Sequence, residues 1–365
     1  HFVDPSPFIL FTVGCFILTW LWSGLAGYVY HRLYPPHQML VVYGESSPDT
    51  LVAKMQSRAE KYDICEAISI EAGLSAIWRR IEDYEAVLIC DVKSEYRNKI
   101  LKYCYEKSVR VYLTPKISDT IVRGADNIHL FDTPLLLCRN HGLTFEQRFF
   151  KRSVDLLFAV TGLVLMSPFM LLIAAAIKLY DRGPVIYKQT RLTLGGRTFP
   201  VYKFRSMIVD AEKNGARLAS EHDDRITPVG RVIRKLRVDE LPQIFNILKG
   251  DMSVVGPRPE RPEIAAEYGK IMPEFSFRLK VKAGLTGYAQ VMGKYNTTPY
   301  DKLKLDLMYI ENYSGIQDLK LILMTIKTLF QKESTEGIAD GSVTPEFSHP
   351  LHPAEQNADQ AGKNI

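Results

Sequence analysis

At 365 residues, 46% hydrophobic and 24% charged, the chain is long enough for two domains and a buried core, and any membrane character is local. A formal net charge of +5 favours anionic partners such as phosphates or an acidic leaflet; no helix-turn-helix, zinc-finger or RNP-type word accompanies it, so nucleic acid is not an expected partner. Five cysteines, Cys15, Cys65, Cys90, Cys104 and Cys138, form no Cys-x-x-Cys pair and read as thiols in a reducing cytoplasmic setting.

The chain opens on His1 rather than Met and reads as a fragment. Pro7 to Tyr30 is nearly uncharged and, at about 1.5 Å per residue, long enough to span a hydrocarbon core of roughly 30 Å. It lacks the basic leader and small-residue cleavage site of a signal peptide, and His31-Arg32 assigns its C-terminal end to the cytoplasm. Residues 1–36 are therefore expected to be a transmembrane helix and linker.

Residues 37–140 read as an α/β unit. Met39–Tyr43, Ile64–Ile70, Ala86–Cys90 and Val109–Leu113 are short apolar or β-branched runs separated by helical patterns, which predicts a parallel, Rossmann-like sheet. The first βα turn, Tyr43-Gly-Glu-Ser-Ser-Pro48, offers one glycine and an acidic residue where a dinucleotide pyrophosphate needs Gly-x-Gly-x-x-Gly. A structural, dimerising or regulatory role fits better than a nucleotide site, with a homodimer among the expected arrangements.

Residues 141–331 follow as a third region. Leu156 to Ile177 is apolar for about a helical span, and Ser167-Pro168 interrupts it, because proline removes one helical hydrogen bond and clashes with the preceding turn. Lys151-Arg152 and Lys178 with Arg182 draw both ends to the cytoplasmic face. The prediction is a sharply kinked re-entrant hairpin over residues 153–180; hydropathy alone leaves a kinked spanning helix open.

The chemistry concentrates further on. Lys203 and Arg205, in Lys203-Phe-Arg-Ser-Met207, follow a predicted strand, Thr198 to Tyr202, and are placed to meet a diphosphate. Arg234 and Arg237 precede Asp239 and Glu240, which start a predicted short helix to Lys249 with Pro242 in its first turn and Gly250 as its cap. The helix N-terminus and the arginines are expected to lower both carboxyl pKa values. An ionised pair suits a site where a hard cation such as Mg²⁺ is shared with substrate phosphates, although a capped surface helix would show the same spacing. Arg258 is held between two prolines and offers a rigid planar fork to a phosphate, and Arg278 is a further phosphate candidate. Tyr300 to Asn312 and the amphipathic Ile316 to Phe330 are predicted helices. Residues 332–365 read as a disordered tail in which His349 and His352 are incidental.

Five words stand in the order and spacing of one family: Lys203-Phe-Arg-Ser-Met207, Asp239-Glu-Leu-Pro-Gln243, Gly250-Asp-Met-Ser253, Gly256-Pro-Arg-Pro259 and Gly284-Leu-Thr-Gly-Tyr-Ala-Gln290. The region from about Phe145 to Gln331 resembles the bacterial polyprenyl-phosphate glycosyl-1-phosphate transferases, monotopic enzymes that initiate glycan assembly. The resemblance is to their larger form, with transmembrane and Rossmann-like N-terminal parts and further transmembrane helices upstream. It implies transfer of a sugar 1-phosphate from a UDP-sugar to undecaprenyl phosphate, with release of UMP, at the cytoplasmic face of a bacterial inner membrane. It also implies that Asp239 is the nucleophile of a covalent aspartyl-phosphosugar intermediate, that Glu240 and Asp239 hold Mg²⁺, and that Ser167-Pro168 is the membrane kink. Asp306 falls at a family acidic position and joins Lys203, Arg205, Arg234, Arg237, Arg258 and Arg278 as expected substrate-binding residues. Ala283 stands where relatives often carry proline and Lys294 where they often carry arginine, which leaves the nucleotide and sugar contacts of that loop open. The expected fold class is an α/β membrane protein: a transmembrane helix, a Rossmann-like parallel sheet and a mainly α-helical monotopic domain. A sugar-nucleotide oxidoreductase, testable by NAD retention, and a catalytically silent membrane scaffold are the alternatives, and no residue reads the sugar's stereochemistry.

Overall fold

The computed structural model describes residues 6–138, 142–209, 211, 223–293 and 297–329; Lys294 and the tail from 332 onward, with His349 and His352, lie outside them. The fold is mixed α/β, and its described residues divide between Thr114 and Pro115 into two units. The first holds helix α1 (Ser6–Leu33), 28 residues without a buried side chain and long and apolar enough to cross a membrane. Its sheet contains β1 (His37–Tyr43), β2 (Tyr62–Ser69), β3 (Ala86–Cys90) and β4 (Arg110–Leu113), all parallel in the order β2-β1-β3-β4. Helices α2 (Asp49–Gln56), α3 (Leu74–Ile81) and α4 (Ser94–Glu106) alternate with them. Strand period decides the faces. Leu40, Val42, Val87 and Ile89 pack with Ile77, Ile81 and Ile100 of α3 and α4, whereas Met39, Val41 and Leu88 pack with Val52 of α2. At the first βα turn, a Cβ on Gly44 would lie 2.2 Å from the Asp91 carbonyl oxygen, so this glycine serves close packing between the ends of β1 and β3.

The second unit begins at Pro115. Helix α5 (Ile117–Arg123) packs on α11 (Pro299–Glu311), and a Cβ on Gly124 would stand 2.5 Å from that of Glu311. The antiparallel hairpin of β5 (Asp126–Leu130) and β6 (Thr133–Leu137) follows. Helix α6 then runs from Phe145 to Asp181, opened by Thr144, whose hydroxyl accepts from the Gln147 amide while the Gln147 side chain accepts from the Thr144 amide. It is longer than the predicted span and is helical on both sides of Ser167-Pro168, where the sequence predicts a kink. Pro168 leaves the Val164 carbonyl, four residues back, without its amide donor, and the Ser167 hydroxyl donates to that same oxygen at 3.0 Å.

Both ends of α6 are fastened within this unit. Near its start, Lys151 forms a buried 2.7 Å ion pair with Asp318 of α12 (Gly315–Leu329), and Asp155 accepts from the Ser253 hydroxyl and the Val254 amide. Arg152 donates to the carbonyls of Ile247 and Leu248 at the end of α8 (Gln243–Lys249). At the far end, Asp181 pairs with Arg205. Between them Ala159 packs with Phe199, Val201 and Ile244, and Met170 and Ile177 pack with Phe204 and Ile233. The remaining core forms around Leu303, Leu307, Tyr309 and Leu321 of α11 and α12.

Candidate active site

The antiparallel pair β7 (Ile186–Leu192) and β8 (Thr198–Phe204) is the site's floor, and Asn246 ties α8 to it. The Asn246 side chain accepts from the Tyr202 amide at 3.0 Å and donates to the Pro200 carbonyl at 2.7 Å. This bridge sets the turn before α8 beside the end of β8. That turn, a 3₁₀ segment from Val238 to Glu240, carries Asp239 and Glu240 and follows α7 (Pro228–Lys235). Arg237 enters it in the left-handed conformation, with φ of 54°. Helix α8 therefore starts later than the sequence suggests, with Pro242 at its cap position, and Gly250 closes it with φ of 89°, in the left-handed region that glycine adopts without strain.

Lys203, at the end of β8, approaches Glu240 Oε1 at 2.6 Å, and Arg258 Nη2 reaches the same oxygen at 3.1 Å. The loop that presents Arg258 is locked by backbone contact between β9 (Ser253–Val255) and β10 (Gly284–Thr286). The Gly256 amide donates to the Thr286 carbonyl and the Gly284 amide to the Pro257 carbonyl. A Cβ on Gly284 would lie 2.1 Å from the Gly256 nitrogen, so two glycines here are the condition for the strand ends to meet. The five sequence words thus converge: the end of β8, the carboxylate turn, the start of β9, the Pro-Arg-Pro loop and the strand against it. Helix α9 (Pro262–Ile271) follows the Pro-Arg-Pro loop in sequence, and helix α10 (Tyr288–Met292) continues the last word.

The two carboxylates are electrostatically unlike. Burial raises Glu240, but Arg258 and Lys203 outweigh it and hold its pKa down at about 2. Asp239 moves the other way: burial and then the charge of Glu240 push it above its ordinary value, against the pull of Lys203 and Arg234. The uniform lowering expected from the sequence is therefore wrong for Asp239, because Glu240 captures the nearest cations and leaves its neighbour the desolvation.

Lys203, Arg258 and Arg234 are gathered around the pair, and Arg237 lies exposed at the turn's start. Arg205, Arg278 and Asp306 are placed differently. Arg205 is buried and clasped to Asp181, close beneath Gly183. Arg278 and Asp306 are 4% and 1% exposed and form an ion pair of 2.7 Å. Arg191 was missed: on β7, it donates to the Pro259 carbonyl at 3.0 Å and lines a small cleft with Lys203, Glu240, Gln243 and Arg258. Only the pairing of β7 with β8 brings it there, and no local motif marks it. Ala283, where proline was the family expectation, donates its amide to Thr193 Oγ1 at 3.2 Å, a bond proline lacks.

For Mg²⁺ the donor set is two adjacent carboxylates of hard oxygen. Among the described residues no third carboxylate, imidazole or thiolate completes a cluster. That fits a cation which takes one or two protein carboxylates and fills its remaining positions from water and substrate phosphates.

A profile described as bacterial sugar transferase matches residues 146–332. The chain belongs to the bacterial sugar transferase family. Similar family members include a UDP-N-acetylgalactosamine-undecaprenyl-phosphate N-acetylgalactosaminephosphotransferase of Aeromonas hydrophila, 39% identical over 66% of this chain and 56% of that protein. A UDP-glucose:undecaprenyl-phosphate glucose-1-phosphate transferase of Caulobacter vibrioides is 39% identical over 50% of this chain and 71% of its own length. A Bacillus subtilis protein named as a putative undecaprenyl-phosphate N-acetylgalactosaminyl 1-phosphate transferase is 48% identical over 35% of this chain and 72% of that protein. The chain spans about half the length of several other curated relatives it matches. The profile's region contains every motif word and excludes the four-stranded sheet.

Proposed function

We propose that this family member transfers a sugar 1-phosphate from a UDP-sugar to undecaprenyl phosphate, releasing UMP and opening the assembly of an exopolysaccharide, capsule or O-antigen glycan. The observation that carries the reading is the Asp239–Glu240 turn with Lys203 and Arg258 converging on Glu240. In the first step an Asp239 carboxylate oxygen bonds to the phosphorus attached to the sugar, and the bond from that phosphorus to the UMP oxygen breaks. In the second, a phosphate oxygen of undecaprenyl phosphate bonds to the same phosphorus, the aspartyl bond breaks, and Asp239 returns as a carboxylate. Lys203, Arg258 and Arg234 bind and orient the diphosphate, and their fixed charges stabilise the oxygens on which charge develops. Glu240 and Asp239 would hold Mg²⁺, which when bound neutralises charge on phosphoryl oxygens.

The membrane placement is part of the same proposal. Helix α6 exposes Leu157, Val164, Leu165, Phe169, Leu171 and Leu172 along its middle, while both its ends pack on the same unit. A helix that enters one leaflet and returns accounts for both facts, keeping the catalytic unit on the cytoplasmic face of the inner membrane. The test is UMP release from a panel of UDP-sugars, with and without undecaprenyl phosphate. Asp239→Asn should abolish it, and labelled UMP should exchange into the UDP-sugar without lipid. Normal turnover by Asp239→Asn would overturn the covalent route.

A further inference from the structure

Arg278 is almost wholly buried. Its side chain is 4% exposed, and the guanidinium stacks 4.9 Å from the Phe275 ring centre. Nη2 donates to the Arg258 carbonyl at 3.0 Å and lies 2.7 Å from Asp306 Oδ2, while Nη1 reaches Glu260 Oε1 at 3.4 Å. The carbonyl so held belongs to the residue whose side chain meets Glu240 at 3.1 Å. Pro257 and Pro259 restrict the backbone on either side of that residue, so fixing its carbonyl fixes the direction in which its side chain leaves.

We propose that Arg278 and Asp306 are positioning residues: Asp306 anchors Arg278, Arg278 clamps the Arg258 carbonyl, and the clamp aims the Arg258 guanidinium at Glu240 and the transferring phosphate. The inference rests on the transferase reading for its kinetics but not for its geometry. It separates these residues from Lys203 and Arg258, which touch the reacting groups. Asp306 is also the part of the chain of contacts that titrates. Burial raises its carboxyl to about 6, opposed by Arg278, with the Glu260 charge raising it and Lys302 on its own helix lowering it. Below pH 6 Asp306 is neutral, Arg278 keeps only Glu260 as a charged partner, and the clamp loosens. Glu240, held near 2, stays ionised throughout.

The test compares wild type, Asp306→Asn, Asp306→Glu and Arg278→Lys in membranes or detergent. Positioning predicts that Asp306→Asn lowers kcat on the order of 10²-fold, the scale of a 1 Å misplacement. KM for the UDP-sugar should change less than about threefold, and Asp306→Glu should recover part of kcat. The wild-type rate should fall as pH drops through 6, and that limb should be absent from Asp306→Asn. Independently of activity, hydrogen exchange should quicken in peptides covering residues 256–261 of Asp306→Asn and Arg278→Lys, with exchange across α8 unchanged. Unchanged exchange in that loop overturns the clamp, and so does a KM rise at constant kcat, which would return both residues to substrate contact. If no UDP-sugar yields UMP with wild type while the exchange result holds, the proposed function fails and the clamp stands.

Discussion

Glu240 carries two cations on one oxygen, which gives it measurable consequences on both rate and stability. Replacing Lys203 by Met removes a charge-assisted hydrogen bond worth about 1.5–3 kcal/mol, so transfer should fall about 10- to 150-fold in UMP release. The acid side of the stability curve should move as well. A carboxyl held at about 2, against an ordinary 4.5, contributes stability that is complete above 4.5 and lost as pH falls through its folded value. In Lys203→Met that folded value rises, the contribution shrinks, and acid unfolding followed by circular dichroism should begin at a higher pH. An unchanged acid transition would mean that Arg258 alone holds Glu240. At this scale the sequence was informative about residue types and poor about partners. Asp239 with Glu240 and the proline-flanked arginine stood out, whereas the protein partners of Arg205, Arg278 and Asp306 did not, because burial is not written in a motif. Arg191 was invisible because its place comes from strand pairing.

Elements were legible where periodicity was strong. The four parallel strands, the apolar N-terminal helix and the glycine cap of α8 follow directly from pattern, because each depends on neighbours in sequence. The course of α6 depends on more than pattern, since a proline's effect turns on whether another donor replaces its missing amide. This yields a double-mutant prediction. In nanodiscs Ser167→Ala should destabilise the protein by about 1–3 kcal/mol, the cost of an unpaired carbonyl away from water. Adding Pro168→Ala should recover most of that, because alanine restores the amide. Additive losses in thermal unfolding would show that the hydroxyl does not answer for the proline. Topology is tested by Phe149→Cys and Leu179→Cys, both at exposed positions, in a background without the native cysteines. Under the re-entrant proposal neither labels with an impermeant thiol reagent applied outside intact cells; labelling of Leu179→Cys alone would make α6 a spanning helix.

For the whole molecule, the motifs located the chemistry after Phe145 but could not say where its folding unit begins. Contact does: α5 packs on α11, far beyond it in the chain. A protein starting at Pro115 should keep transferase activity, and one starting at residue 141 should lose stability through the bared face of α11, observable as a lower melting temperature and a smaller active fraction. Equal stability of the two would assign α5 no structural part.

The buried pair of Lys151 and Asp318 spans 167 positions of the chain. At roughly 5–20 residues per second of synthesis, Lys151 emerges about 10–30 s before its partner exists. During that interval Lys151 lacks Asp318, and under the re-entrant proposal it is made just ahead of the apolar run of α6 as that run meets the bilayer. On that proposal the same ammonium group is an orienting signal while the chain is being made and a core contact once it is finished.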